Sequence, residues 1–219
     1  MSTGRRAGRP RSASREILEE AACELFLEKG YAATSVADIT QRAGVSRNTF
    51  FNYIPTKSDL LWTSVDDALE GLAADLGGAV RGSAPDAVAD IRASDTALAA
   101  PHAVTAAVAE VRDALIRTAA GLEPGTVVLA FANAEPMGVT EELEASAARR
   151  QSRAGRIVAD HLRRRGADEL TAEVLGRAHA GAFLAALRAW SRSGVPREPF
   201  TEALTRALDV LGTGRPVSS

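Results

Sequence analysis

A single cysteine, Cys23, stands among 219 residues, which excludes an internal disulfide framework and any metal site built from several thiolates. Its place in the AACELF run puts it on the buried side of a helix, as small core filler. Histidine is nearly as scarce. His102, His161 and His179 fall in no metal-ligand spacing, and no H-E-x-x-H occurs. G-x-S-x-G, G-x-G-x-x-G and the phosphate-loop pattern are missing as well. Paired acids such as Asp66-Asp67 and Glu141-Glu142 are neighbours along helices and do not converge on one substrate. The expectation is a chain that is not an enzyme and holds no metal or cofactor. Long apolar runs are also lacking: none approaches the ~18 residues of a membrane helix, and the arginine-rich opening carries no apolar signal region. A soluble, cytoplasmic chain without a membrane partner is expected.

What is there is unevenly spread. The formal net charge is only −2, yet Arg5, Arg6, Arg9, Arg11 and Arg15 open the chain without one acid among them. Residues 1–13 show no apolar periodicity and are expected to be disordered alone. Two readings of this basic arm stand side by side: arginines around a GRP core suited to a narrow A·T-rich minor groove, or a flexible tail adding nonspecific affinity.

The most informative stretch is Thr34–Lys57. Ser35 and Asp38 fit a capping box, and Val36, Ile39 and Ala43 then recur at helical spacing. Gly44 falls where that helix must stop. Ser46 is the natural cap of the next helix, which runs to Ile54 because Pro55 disfavours helical geometry before it. Phe50 and Ile54 face inward, while Arg47, Asn48, Phe51 and Asn52 form the outward face. A recognition helix needs such a face: Arg forks onto guanine, Asn onto adenine, and an exposed apolar group packs on a thymine methyl. Thr56 and Asp59 read as a second capping box, with Lys57 on the first turn of a new helix and free to reach a phosphate. Thr34, just before the second helix, offers a hydroxyl for another phosphate.

These residues carry a resemblance. Ile17 to Leu61, with its ELF…KGY…TSV.DI..RAGVS..TFF.Y.P.K.DLL run, resembles the N-terminal DNA-binding domain of TetR-type (tetracycline-repressor-like) transcriptional regulators. The resemblance implies that Thr34, Tyr53 and Lys57 position the backbone of double-stranded DNA and that Arg47, Asn48 and Asn52 read bases. Ser46, Thr49 and Phe51 complete the candidate interface, with Arg5, Arg6, Arg9 and Arg11 as the arm. Two positions depart from the family pattern: Phe51 stands where tyrosine is usual, and Asn48 where glycine or alanine is common.

The expected fold is all-α. An N-terminal three-helix helix-turn-helix domain over 14–58 follows the arm, then a larger helical effector-binding and dimerisation domain over 59–212 and a flexible tail over 213–219. The first helix is placed from Ser14 or Arg15 to Glu28, with Ile17, Leu18, Ala21, Ala22, Leu25 and Phe26 as its stripe. A fourth runs to about residue 80 on Leu60, Leu61, Val65, Leu69, Leu72 and Leu76, with Trp62 offset. Pro85-Asp86 reads as a helix start. TVVLAFAN from Thr126 reads as a short buried helix, and further helices span Thr140–Arg165, Leu170–Ser193 and Pro199–Leu211. The last two carry more apolar surface than one antiparallel pair buries, with Ala178, Ala182, Ala185 and Ala186 allowing close approach. Pairing with the same helices of a second copy, and hence a homodimer on a palindromic operator, is the expectation.

The resemblance also implies a small-molecule effector inside the helices of 60–200 that shifts the fourth helix. Only four of ten aromatic residues lie beyond Trp62, which favours an aliphatic or acyl-like effector over an aromatic cage for a cation. Candidate pocket residues are Trp62, His102, Phe131, Asn133, Met137, His179 and Phe183, each equally readable as core. The arginine-rich run 149–165 reads either as a solvated face or as a partner for a phosphate-bearing ligand. A ligand-released repressor is the leading functional expectation. An effector-independent architectural DNA binder and an activator of the same fold are the alternatives.

Overall fold

Residues 11–82, 93–194 and 196–213 are described in a computed structural model, and among them every regular element is helical. The order is α1 (Arg11–Lys29), α2 (Val36–Arg42), α3 (Arg47–Tyr53), a 3-10 turn (Lys57–Trp62), α4 (Thr63–Gly82), α5 (Ala93–Ala120), α6 (Thr126–Ala132), α7 (Thr140–Arg164), α8 (Glu169–Arg192) and α9 (Phe200–Thr213). The helix start expected at Pro85-Asp86 lies outside the described residues. The chain divides into two compact units, Met1–Thr63 with Gly125–Glu144, and Ser64–Pro124 with Ala145–Ser219.

In the first unit α1 begins at Arg11, three residues ahead of the expected start, and buries Leu18, Ala21, Ala22, Leu25 and Phe26. Burial pushes the Cys23 thiol up to about 11, so it stays a neutral filler at the edge of this stripe. The Ser35 hydroxyl accepts from the Asp38 amide at 3.1 Å and the Asp38 carboxylate accepts from the Ser35 amide at 2.7 Å, which closes the expected capping box. Hydrogen bonds from the Ser35 hydroxyl and amide, then from Lys29, hold the Asp38 carboxyl well below the usual range. Gly44 turns the chain at φ +65°, a left-handed conformation that costs glycine little. Ser46 caps α3 by accepting from the Thr49 amide at 3.0 Å.

Beyond Pro55 the structure differs from expectation. Residues Lys57–Trp62 wind as a 3-10 turn before α4 begins. The Thr56 hydroxyl donates to the Asp59 carboxylate at 2.7 Å but makes no capping bond to a backbone amide. Leu60, Leu61 and Trp62 are all buried, because the turn is covered by α1 and by α6. Trp62 is fully buried, although an α-helical wheel sets it off the stripe. Its ring meets Phe131 of α6 edge-on at 5.6 Å. α6, with Val127, Val128, Ala130 and Phe131 buried, thus completes the core beneath α1 and the 3-10 turn. Burying side chains of this size is worth about 1.5–3 kcal/mol each.

The second unit is built on long helices. α8 and α9 form its main pair, joined by Phe200, whose ring packs 5.5 Å from Phe183 and 5.0 Å from Trp190. α7 and α8 cross where Gly155 meets Gly176: a Cβ on Gly176 would sit 2.5 Å from the Gly155 carbonyl oxygen. Several buried polar groups are paired across helices. Arg150 of α7 donates twice to Asp66 of α4, at 3.0 and 2.5 Å. His161 lies between the Leu76 carbonyl at 3.2 Å and the Glu110 carboxylate at 3.0 Å, and Arg165 takes the other Glu110 oxygen. Two large apolar side chains of the α8 and α9 pair are exposed. Val174 and Leu211 are 56% and 43% accessible, because the buried face of α8 runs through Ala172, Gly176, Ala180, Phe183 and Leu187 and that of α9 through Phe200, Leu204 and Leu208.

Candidate nucleic-acid interface

The outward face of α3 follows from its inward one. Phe50 and Ile54 are 0% and 1% accessible and fix the rotation of the helix. Arg47, Asn48, Phe51 and Asn52 are left exposed. Together they present a guanidinium fork, two amides that both donate and accept, and an aromatic ring, the chemistry of base-edge recognition. The Arg47 guanidinium lies over the Phe51 ring, 5.6 Å from its centre. Phe51 is braced in turn by the edge-on contact with Phe50 at 5.2 Å. Ser46 is exposed and Thr49 half-buried, and their hydroxyls are 2.9 Å apart within the cap. Tyr53 is half-buried at the end of α3.

Two expectations change here. Thr34 is 1% accessible, and its hydroxyl donates to the carbonyls of Gly30 at 2.8 Å and Leu25 at 3.3 Å. It pins the end of α1 and has no hydroxyl to offer a phosphate. Lys57 is not free. Its ammonium donates to the carbonyls of Tyr31 at 2.7 Å and Thr34 at 2.8 Å, 3.9 Å from the centre of the Tyr31 ring. Burial pushes its pKa down, against the field of Glu142. Tyr31, which sequence reasoning did not single out, anchors this corner. Its amide donates to the Met137 carbonyl at 2.8 Å, and its only sequence signal is the tyrosine of the KGY run. Of the arm, Arg5, Arg6 and Arg9 lie outside the described residues, and Arg11 opens α1.

The seven pocket candidates fall in both units. Trp62, Phe131, Asn133 and Met137 belong to the first unit; His102, His179 and Phe183 belong to the second. Trp62, Phe131 and Met137 are core, and the Asn133 amide donates to the Leu129 carbonyl at 3.0 Å. His102 lies on α5. His179 Nδ1 faces the Leu175 carbonyl at 2.7 Å, and burial lowers its pKa. An open groove of about 520 Å³ between α7 and α8 is lined by Gln151, Arg156, Asp160, Arg163 and Arg177, among others, and by none of the seven. Much of the arginine run is already paired: Arg163 with Asp160 and Glu169, Arg150 with Asp66, Arg165 with Glu110.

A capped helix, a glycine turn and a second helix with an exposed, mostly polar outer face define a helix-turn-helix DNA-binding head. Residues 18–62 match the family described as bacterial regulatory proteins, tetR family, and the head of this chain is that of a TetR-type regulator. The HTH-type transcriptional regulator EthR of Mycobacterium tuberculosis is 42% identical over 64 residues, which are 29% of this chain and 30% of that protein. The match thus spans less than a third of the relative's length. Over nearly the whole chain the fold is that of Thermus thermophilus FadR, a TetR-family transcriptional repressor solved in complex with lauroyl-CoA (TM-score 0.52, 23% identity, 94% of this chain and 96% of that one). NalD, the secondary repressor of the MexAB-OprM multidrug efflux pump in Pseudomonas aeruginosa, is similarly alike (TM-score 0.53, 20% identity, 93% and 97%). The proteins it resembles are transcriptional regulators rather than enzymes. No described helix is long and apolar enough to cross a membrane, and no cluster of metal-ligating side chains occurs among the described residues.

Proposed function

We propose that this chain is a sequence-specific transcriptional repressor of the cytoplasm that binds a palindromic operator as a homodimer and is released by a small-molecule effector. The observation that carries the reading is the outer face of α3, where Arg47, Asn48, Phe51 and Asn52 are exposed above a wholly buried Phe50. Arg47, Asn48 and Asn52 are the base readers. Ser46, Thr49, Tyr53 and Lys57 position the head on the backbone, and the arm from Arg5 to Arg11 tracks the adjacent groove. An ammonium carries three donors, so Lys57 keeps one beyond its two carbonyls for a phosphate. Thr34 acts behind the interface.

Dimerisation is supported by α8 and α9, which leave Leu170, Val174, Val210 and Leu211 exposed beside small residues such as Ala185. A two-fold protein then sets half-sites about one helical turn apart, or a multiple of it. The effector is aliphatic or acyl-like, in keeping with the few aromatic residues beyond Trp62. It releases DNA only if it binds the non-DNA conformation better. The deciding experiment is selection of bound duplexes from a random pool at two salt concentrations. An enriched palindrome supports the reading and supplies the probe for effector screening. Binding with a steep salt slope and no enriched motif would replace it with the architectural reading.

A further inference from the structure

Arg47 and Phe51 are four residues apart on α3 and in contact, with the guanidinium 5.6 Å from the ring centre. The ring is 47% accessible, yet it is not loose, because the wholly buried Phe50 meets it edge-on at 5.2 Å and 79°. A line of contact therefore runs from the core through Phe51 to the Arg47 fork. Held against a braced ring, the fork has fewer rotamers to lose when it binds.

We infer that Arg47 and Phe51 read DNA as one unit, selecting a guanine with a methyl-bearing pyrimidine directly beside it. This rests on the DNA-binding reading above and specifies what the recognition helix selects. A phenylalanine ring neither donates nor accepts a hydrogen bond, so among base edges of the major groove it favours the one apolar feature, the C5-methyl of thymine. Cytosine at the same place lacks the methyl and presents an N4 donor that the ring leaves unpaired. Base pairs step about 3.4 Å along the helix axis, and the 5.6 Å between guanidinium and ring centre is less than two such steps, so the two side chains meet neighbouring pairs. Arg47 takes O6 and N7 of the guanine; Phe51 takes the methyl next to it.

The test uses the full chain and the best duplex from the selection. The thymine beside the guanine is replaced by deoxyuridine, by cytosine and by 5-methylcytosine. Loss of the methyl in deoxyuridine is expected to weaken binding about fourfold per half-site, the worth of one buried carbon. Cytosine weakens it further, and 5-methylcytosine recovers part of the cytosine loss. In Phe51→Ala the deoxyuridine penalty disappears, whereas Phe51→Tyr retains it. The base replacements leave the protein unaltered, so their outcome does not depend on how a variant folds. A selected motif with no guanine–thymine step, or a deoxyuridine penalty absent in the natural chain or equal in Phe51→Ala, overturns the inference while the regulator reading stands. Failure to enrich any motif overturns both.

Discussion

Lys57 donates its ammonium to the Thr34 carbonyl at 2.8 Å and, from the same nitrogen, to the Tyr31 carbonyl at 2.7 Å. One cation thereby holds the turn that feeds α2, and Thr34 holds the same turn from the other side through its hydroxyl on Gly30. The lysine is both a part of the head and a donor at its surface.

Replacing Lys57 by Met is expected to lower stability by about 1 kcal/mol, because two carbonyls at a half-buried corner lose their charged donor. It should also weaken binding to all duplexes alike and flatten the salt dependence by about one phosphate contact. Arg47→Ala should leave stability near its original value and cost about 1–3 kcal/mol at one base position. Urea unfolding and binding titrations over several duplexes and salt concentrations check both. Equal losses for the two variants on every sequence would refute the division between positioning and reading.

The contrast between these residues shows what the sequence made legible. Features closed within a few residues were readable from spacing alone: the Ser35–Asp38 box, the Gly44 turn, the Ser46 cap and the in-or-out phase of α3. Features closed by distant chain were not. The partners of Lys57 are 26 and 23 residues away, and nothing local distinguishes an amine aimed at solvent from one drawn onto carbonyls. Thr34 turned inward because the carbonyls of Leu25 and Gly30, near the end of α1, lie within reach of its hydroxyl. The phase of α8 was not legible for another reason: the helix carries alanine on both faces, so its apolar pattern does not fix one. Of the pocket candidates, Trp62, Phe131 and Met137 are buried in the core of the first unit, one of the two readings the sequence offered for each.

Gly176→Ala is expected to destabilise the second unit. Its Cβ would meet the Gly155 carbonyl oxygen at 2.5 Å and the Ala159 Cβ at 3.0 Å, a collision that backbone on both sides cannot relieve by rotation. Overpacking of this kind costs about 1–3 kcal/mol, offset in part by about 1 kcal/mol of helix propensity. Gly71→Ala on α4 has nothing within 4 Å of the new carbon and should gain up to about 1 kcal/mol. Thermal unfolding of the two variants should therefore move in opposite directions.

Asp66→Ala removes the partner of Arg150, whose side chain is 9% accessible. A buried guanidinium without its carboxylate costs about 2–3 kcal/mol here, because Asp66 itself is part-exposed. A fall in Tm of about 5–10 °C follows for a chain of this size. Glu70→Ala breaks only the 3.7 Å contact with Arg153 at an exposed carboxylate and should shift Tm by little. Similar Tm values for both variants would show that the Arg150 pair adds nothing to the fold.

His179 sets a pH dependence of definite sign. Burial lowers its pKa from the ordinary value, so the folded chain resists a proton that the unfolded chain accepts. Above about pH 6.5 both states hold the ring neutral and His179 contributes no slope. As pH falls through that value toward the lower folded pKa, the unfolded state binds the proton first, and stability is lost. His179→Gln keeps a polar side chain of similar reach without a proton to take up in this range. The loss of Tm between about pH 7.5 and about pH 5.5 should therefore be smaller in His179→Gln than in the natural chain, whatever the two Tm values are at the higher pH. An equal loss in both would assign the acid sensitivity to other groups and leave His179 without an energetic part in it.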